Sequence, residues 1–242
     1  MRIGAVPYLN GKPLIYGLDR EPEVDLICDV PSRLAHMLET GEIEAGLVSV
    51  AACFTNPKLQ IVPGISISCD GPAESVKLFY KGQINKVALD TSSLTSVLLA
   101  KIILCERYDL TPEFVPMPPS LPDMLKECDA AVVIGDTTMC ASPKADWIEM
   151  DLGEEWKLLT GLPFVFAVWA VTSEAASSEL EEMLVRSKSI GLQSLSEISE
   201  SESERLGIPI ETCLHYLSET MNYDLTDRHI QAIKLFREKA GE

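Results

Sequence analysis

Apolar and polar positions in the first fifty residues alternate between strand-like and helix-like patterns. A helical period covers 31–40, where Leu34, Met37 and Leu38 share one face. Short apolar runs around this helix predict strands at 3–6, 23–30 and 45–50. A short helix with Pro13 in its first turn connects the first two strands. This strand–helix–strand–helix–strand order predicts a parallel sheet with right-handed crossovers.

The same pattern returns in the middle of the chain. Residues 61–83 have no helical period, and we predict strands there at 61–62, 65–68 and 75–80, separated by Pro63-Gly64 and Asp70-Gly71-Pro72. Further strands are predicted at 86–89, 114–117 and 130–134. A helix over 92–108, apolar nearly all round, and a short helix over 121–127 lie between them. Two such units in series predict two similar lobes.

The last third of the chain is predicted to be mainly helical. An apolar strand over 164–171 comes first. A capping box at Ser178 opens a helix whose apolar stripe extends to Ile198, and further helices begin at Pro209 and after Thr226. The sequence therefore indicates an α/β protein.

Composition narrows the kinds of partner. The chain has 242 residues, of which 46% are hydrophobic, and its formal net charge is −17. Such a surface repels nucleic-acid phosphates and anionic lipids, so we expect a small-molecule partner, with neither nucleic acid nor membrane bound. A bound small anion needs local hydrogen-bond donors for the same reason. Oligomeric state is not predicted.

Several kinds of site find no support in the sequence. The seven cysteines are scattered without zinc-like spacing, and the three histidines lie on predicted helices with no second ligand nearby. Glycine-rich nucleotide loops and nucleophile elbows are missing, so we expect no metal and no cofactor. The first residues lack the basic and long apolar segments of a secretory signal, so a cytoplasmic protein is expected.

Three strand-to-helix junctions are rich in small polar side chains. They are Tyr8-Leu9-Asn10, the stretch from Asp90 to Ser96, and Gly135-Asp136-Thr137-Thr138. Ligands of open α/β sheets lie beyond the carboxyl ends of the strands, where helix N-termini offer free N–H donors. For any one junction, plain helix capping is the favoured explanation. Three junctions on two repeated units favour a small, anionic ligand in a cleft between the lobes.

Several longer strings carry a resemblance to a known family. They are Val6-Pro7-Tyr8-Leu9-Asn10, Ile61-Val62-Pro63-Gly64-Ile65, Ala88-Leu89-Asp90 with Ser92-Ser93 and Thr95-Ser96, Ile134-Gly135-Asp136, and the run from Gly161 to Ala170. Together and in this order they resemble the chorismate dehydratases of the futalosine route to menaquinone. The resemblance extends over nearly the whole chain.

This resemblance implies the fold of type II periplasmic binding proteins. Each lobe would be a mainly parallel sheet flanked by helices, with the ligand cleft between the lobes. The chain would cross between lobes twice, so that residues 1–80 and 170–242 form the first lobe and residues 81–169 the second. The C-terminal helices would then belong to the first lobe.

The activity that the resemblance implies is loss of water from chorismate, giving 3-[(1-carboxyvinyl)oxy]benzoate without metal, flavin or nicotinamide. Asn10 and Ser75 match the family's polar positions that face the ring, and we assign the chemical step to them. Neither is a strong base, so our hypothesis is that the substrate's enolpyruvyl carboxylate takes the proton. Asp136 is the alternative general base or acid.

The same resemblance guides the placement of the two substrate carboxylates. We predict that one lies against Ser92, Ser93, Thr95 and Ser96 at the N-terminus of the buried helix, and the other near Ser49. Family members usually have Arg where this chain has Leu94, which weakens the case for a charged clamp there.

Two further functions stay open from the sequence. One is 1,4-dihydroxy-6-naphthoate synthase of the same pathway, which shares the fold but not the Tyr-Leu-Asn opening and acts on cyclic dehypoxanthine futalosine. The other is a non-catalytic protein that binds a small anion, either as a carrier or as a sensor.

Overall fold

The computed structural model describes residues 1–141, 146–173 and 175–241. In these residues the strands are β1 Arg2–Ala5, β2 Asp25–Cys28, β3 Ala45–Ser49, β4 Leu59–Cys69, β5 Val76–Tyr80, β6 Lys86–Asp90, β7 Glu113–Met117, β8 Ala130–Ile134, β9 Ile148–Asp151 and β10 Phe164–Thr172. The α-helices are α1 Lys12–Ile15, α2 Pro31–Glu39, α3 Ala52–Thr55, α4 Leu94–Tyr108, α5 Leu121–Glu127, α6 Asp136–Met139, α7 Leu152–Thr160, α8 Ser178–Gln193, α9 Leu195–Leu206, α10 Ile210–His215 and α11 Asp227–Ala240. A π-helical turn, Tyr216–Thr220, follows α10.

The strands form two five-stranded sheets, one in each lobe. The first has the order β2-β1-β3-β10-β4 and the second the order β7-β6-β8-β5-β9. In the first sheet β1 is parallel to β2 and β3, while β10 is antiparallel to β3 and β4. In the second, β6 is parallel to β7 and β8, while β5 is antiparallel to β8 and β9. The two lobes therefore repeat one topology.

This topology confirms the two-lobed α/β fold and corrects one detail of it. We expected mainly parallel sheets, and both sheets are mixed because β5 and β10 each enter antiparallel to a strand of the neighbouring unit. All but the last residue of β10 are buried, and a strand covered on both faces has a continuous apolar pattern whatever its direction. The hydrophobic pattern therefore carried no information about strand direction.

The chain crosses between the sheets earlier than the lobe limits predicted from the sequence. Residues 76–80 were assigned to the first lobe but form β5 of the second sheet, and Phe164 already belongs to β10 of the first. The crossings are therefore the segments 70–75 and 161–163. Both β5 and β10 can pair in either lobe as far as their residue types are concerned, so this difference was not visible in the sequence.

Several smaller predictions also differ from the structure. Residues 59–69 form one strand, β4, which continues through Pro63-Gly64 instead of breaking there. It lies at the edge of its sheet, where a proline removes no hydrogen bond that the sheet needs. The predicted stripe that extends to Ile198 is divided between α8 and α9, and the hydroxyl that caps α8 is that of Ser177, one residue before the predicted cap.

An aromatic cluster holds the two lobes together on the side of α11. Trp156 of α7 in the second lobe packs edge-to-face on Phe164 of β10 and Phe236 of α11, with ring centroids 5.2 and 5.8 Å away. All three rings are buried. Such pairs contribute about 0.5–1.5 kcal/mol each beyond the area they bury. Among the helices that the structure describes, none is long and apolar enough to cross a membrane.

Candidate functional site

A small cavity lies between the lobes, where strand ends of both sheets meet. Its volume is about 40 Å³, and its lining comprises Val6, Tyr8, Asn10, Pro31, Ser49, Ile67, Val76, Ser93, Ser96, Ile134, Gly135, Phe166 and Ala167. None of these side chains carries a formal charge, so an anion bound here would be held by neutral donors. Larger hollows exist, but no residue of the three junctions lines them.

The size of the cavity shows that the lobes are closed. This space is far smaller than the roughly 300–1,000 Å³ of pockets that bind small organic ligands. The lobes must therefore separate for such a ligand to enter, with the crossing segments 70–75 and 161–163 as the connections between them.

At one side of the cavity the lobes meet through two buried hydroxyls, which we call the hydroxyl contact. Ser49 Oγ at the end of β3 lies 2.5 Å from Thr95 Oγ1 in the first turn of α4. The Thr95 N–H also donates to Ser49 Oγ at 3.2 Å, and the Ala51 N–H donates to Thr95 Oγ1 at 3.1 Å. Thr95 therefore lies beside the cavity, and its hydroxyl and N–H groups form hydrogen bonds with residues of the first lobe.

The other polar residues at the α4 N-terminus have two roles: some line the cavity, and one stabilises the loop next to it. Ser93 caps α4 by accepting from the Ser96 N–H at 3.4 Å, and both of these serines line the cavity. Ser92 is instead committed to Asp90, whose Oδ1 accepts from the Ser92 N–H at 2.8 Å and from its hydroxyl at 2.5 Å. Burial raises the pKa of Asp90, and these two hydrogen bonds oppose the shift. Ser92 thus supports the loop beneath the cavity.

On another side of the cavity, Tyr216 joins the two residues predicted for the chemical step. Asn10 Nδ2 donates to the Tyr216 hydroxyl at 3.2 Å, and that hydroxyl donates to Ser75 Oγ at 2.6 Å. We call this arrangement the tyrosine bridge. Asn10 Oδ1 is buried and has no partner among the described residues. The structure therefore places Asn10 and Ser75 at one location.

Asp136 follows Gly135 at the start of α6, and both of its oxygens are engaged across the lobes. Oδ1 accepts from the Leu9 N–H at 2.8 Å, and Oδ2 pairs with Arg205 Nη2 at 2.6 Å. We call the Arg205–Asp136 ion pair the charged contact. Arg205 also pairs with Glu202 at 2.5 Å, and Glu202 pairs with Lys12 at 3.0 Å. Asp136 is therefore held by protein partners in this closed form.

Gly135 allows the lobes to approach each other next to these contacts. A Cβ at this position would lie 2.9 Å from Cδ1 of the Tyr8 ring, which belongs to the opposite lobe. Its φ of +63° is also a conformation that favours glycine. Only glycine satisfies both requirements, which explains the Gly-Asp pair at this junction.

Two residues that contact the predicted site residues were not identified in the sequence analysis. Tyr216 lies 206 positions from Asn10 and 141 from Ser75, and Arg205 lies 69 positions from Asp136. Each belongs to a C-terminal helical segment with no local motif to distinguish it. Within the described ranges, no group of three or more His, Cys, Asp or Glu side chains is arranged to hold a metal ion.

Comparisons with solved structures show the fold. Protein AF1704 from Archaeoglobus fulgidus has a TM-score of 0.77 and 18% identity, with 99% of this chain and 96% of that chain covered. The alkanesulfonate-binding protein SsuA from Xanthomonas axonopodis pv. citri has a TM-score of 0.72 and 13% identity, with 99% and 92% covered. The product of the Candida albicans gene CA3427, described as having the generic periplasmic binding protein fold, has a TM-score of 0.66 and 11% identity, covering 100% and 90%.

Comparisons of sequence show the family. The chorismate dehydratase of Thermus thermophilus is 32% identical over an alignment of 260 positions. The alignment covers 99% of this chain and 94% of that protein. The menaquinone biosynthesis family matches residues 1–242, the full length of the sequence. The chain belongs to the menaquinone biosynthesis family.

Proposed function

We propose that this chain is a lyase, a chorismate dehydratase that converts chorismate to 3-[(1-carboxyvinyl)oxy]benzoate and water. The observation that carries the proposal is that the relationship to the Thermus thermophilus chorismate dehydratase extends over the whole chain. Both lobes, and hence both walls of the cavity, are included in it. The uncharged lining of the cavity agrees with a reaction in which the enzyme mainly positions its substrate.

The chemistry of the reaction explains why such a site is sufficient. The ether-bearing ring carbon loses its proton, and the neighbouring carbon loses its hydroxyl group. The electron pair of the broken C–H bond completes the aromatic ring, and the proton and hydroxide together make one water. The elimination is redox-neutral and is driven by aromatisation. Correct positioning of reacting groups can contribute about 7–11 kcal/mol to lowering such a barrier.

Asn10 and Ser75 are the residues that we propose for the chemical step. They lie together in the tyrosine bridge, and no ionised side chain lines the cavity beside them. The proposed proton acceptor is therefore the enolpyruvyl carboxylate of chorismate itself, with Asn10 and Ser75 orienting that group and the leaving hydroxyl. Asp136 is a weaker candidate for the base, because the Leu9 N–H and Arg205 occupy its oxygens.

The hydroxyl contact is the proposed position of a substrate carboxylate. Ser93 and Ser96 line the cavity next to it, and Ser49 and Thr95 satisfy each other there in the closed form. A carboxylate entering between the separated lobes could accept hydrogen bonds from both hydroxyls in place of their mutual contact. Neutral donors in a site without water bind an anion more strongly than the same donors in solvent.

The direct test is to incubate the purified protein with chorismate and follow the products by liquid chromatography and mass spectrometry. We expect loss of the mass of one water and the appearance of an aromatic absorption spectrum. The Ser75→Ala variant should turn over far more slowly. Exposed Ser178 is a matched control, and Ser178→Ala should match the wild type. A protein-free incubation measures spontaneous breakdown of chorismate.

The other outcomes separate the competing functions. Unchanged chorismate together with conversion of cyclic dehypoxanthine futalosine would identify the sister activity, 1,4-dihydroxy-6-naphthoate synthase. Unchanged chorismate that nevertheless raises the melting temperature of the protein would indicate binding without catalysis. Either result contradicts the proposal.

A further inference from the structure

Tyr216 is a fully buried residue whose hydroxyl lies between two polar side chains of the proposed site. Its exposure is 0%, and its hydroxyl contacts Asn10 Nδ2 at 3.2 Å and Ser75 Oγ at 2.6 Å. A hydroxyl has one proton to donate and two lone pairs to accept. Because an amide N–H can only donate, the Asn10 contact uses a lone pair of Tyr216, and the tyrosine proton goes to Ser75.

This direction of hydrogen bonding is stable over the working pH range. Burial raises the pKa of Tyr216 well above its ordinary value, so the hydroxyl keeps its proton at neutral and moderately alkaline pH. Its donation to Ser75 Oγ therefore does not depend on any titration in that range. The tyrosine hydroxyl therefore accepts from Asn10 and donates to Ser75 throughout this pH range.

The tyrosine bridge in turn fixes the free polar atoms of its two neighbours. With Nδ2 directed at Tyr216, Asn10 is left with Oδ1, a buried acceptor that has no partner among the described residues. Ser75 already accepts from Tyr216 and keeps a proton of its own to donate. One acceptor and one donor are thus prepared side by side, which suits a substrate that presents both a hydroxyl and a carboxylate.

The backbone that carries Tyr216 is also unusual. The residue begins the π-helical turn Tyr216–Thr220, and π-helical turns inside helices are rare and occur often at functional sites. At the other end of this turn, Thr220 Oγ1 donates to Glu74 Oε1 at 2.9 Å. Glu74 precedes Ser75 and has a φ of +59°, a strained conformation for a residue with a side chain. The turn therefore holds Ser75 both directly and through its neighbour.

We infer that Tyr216 is a positioning residue of the proposed reaction, whose hydroxyl sets the orientation of the Asn10 amide and the Ser75 hydroxyl for the chemical step. The inference rests on the proposed function. It predicts an effect on turnover without a matching effect on substrate binding, since Tyr216 itself does not line the cavity.

Tyr216→Phe tests this inference, and Tyr223→Phe is its matched control. Tyr223 is also buried, but its hydroxyl has no hydrogen-bond partner in the described part of the chain. We expect Tyr216→Phe to lower kcat by about tenfold or more, because small misplacements of reacting groups cost up to about 10²-fold, while KM changes less than about twofold. Tyr223→Phe should leave both constants within about twofold of the wild type.

The double variant Tyr216→Phe with Ser75→Ala supplies a readout that a purely structural role would not change. If the tyrosine acts through Ser75, its substitution should cost less than about threefold in kcat once Ser75 is already alanine. Equal costs in both backgrounds would overturn the inference, as would unchanged kcat in the single variant. If Tyr216→Phe does not fold, Thr220→Val shifts the same turn and should lower kcat without raising KM.

These outcomes are separable from failure of the proposed function. A wild-type protein that converts chorismate, together with a fully active Tyr216→Phe variant, overturns only the role of the tyrosine. A wild-type protein that leaves chorismate unchanged overturns the proposed function itself.

Discussion

The two polar contacts that join the lobes around the cavity are chemically opposite. The hydroxyl contact is neutral and dry, with Ser49 4% and Thr95 0% exposed. The charged contact is partly wet, because the Arg205 side chain is 43% exposed and that of Asp136 15%. Solvent and salt weaken an ion pair in that position, while they do not reach the hydroxyls. Hydrogen bonds to a ligand should therefore contribute most to its binding free energy at the hydroxyl contact.

This difference bears on the proposed binding of an anion by an acidic chain. The carboxylates of Asp136 and Glu202 share Arg205, and Lys12 pairs with Glu202 as well, so these four charges largely satisfy one another. The lining that remains is neutral. The proposed recognition of an anion would then depend on hydroxyl and N–H donors in a water-poor space, where each hydrogen bond is stronger than in water.

Closure of the lobes should have the largest effect on activity, and Gly135→Ala is the substitution that opposes this closure. The added Cβ would meet the Tyr8 ring at 2.9 Å, and the φ of +63° adds strain. We expect kcat/KM for chorismate to fall by about 10²-fold, since both contacts depend on full approach of the lobes. Steady-state kinetics measure this effect.

Gly82→Ala is the matched control for that experiment. Gly82 has a φ of +71° but nothing within 4 Å of an added Cβ, so the substitution introduces the strain alone. Its cost is about 1–2 kcal/mol of stability, without a loss of activity. Equal losses of activity in the two variants would show that backbone strain, not contact with Tyr8, is responsible.

The hydroxyl contact should show the next largest effect. Thr95→Ala removes one of its two hydroxyls, and a hydrogen bond of this kind contributes about 0.5–1.5 kcal/mol, so we expect KM for chorismate to rise by up to about tenfold. Thr95→Ser retains the hydroxyl and should stay near the wild type. Thr138→Ala removes a buried hydroxyl that has no hydrogen-bond partner among the described residues, and it should not raise KM.

A different result would move the carboxylate elsewhere. If Thr95→Ala and Ser96→Ala both leave KM unchanged, neither hydroxyl contacts the substrate. The α4 N-terminus would then have a capping role only, which is the alternative that the sequence alone left open.

The contrast between the two contacts also marks what the sequence could and could not predict. The N-terminus of α4 was predictable because a cap and its helix are neighbours in the chain, and Ser93 does cap α4. Partners such as Tyr216 and Arg205 were not, since only the tertiary fold brings them to Ser75 and Asp136. Local spacing therefore identified one partner of each contact between the lobes, and the tertiary fold supplied the other.

The same limit applies to the fold. Alternation of strands and helices was enough to predict two βαβαβ units, because each unit is contiguous in sequence. The positions of β5 and β10 depend on which lobe a buried strand joins, and their apolar residues fit either sheet. The lobe limits were consequently displaced by several residues.

The charged contact should have the smallest effect. Arg205→Met removes the ion pair but leaves Asp136 bound to the Leu9 N–H and Glu202 paired with Lys12. Exposed ion pairs contribute about 0.2–1 kcal/mol, so we expect kcat/KM to fall by no more than about fivefold. The deficit should be largest at low ionic strength and should shrink as salt screens the wild-type pair.

Arg228→Met is the control for general loss of a cation, because Arg228 pairs with Asp70 on the surface, where its side chain is 56% exposed. It should not change the salt dependence of turnover. A deficit in Arg205→Met that exceeds that of Thr95→Ala, or that persists at high salt, would reverse the order of the two contacts. Arg205 would then behave as a buried cation that lobe closure requires. The substrate carboxylate would be expected beside Arg205 instead of between the two hydroxyls.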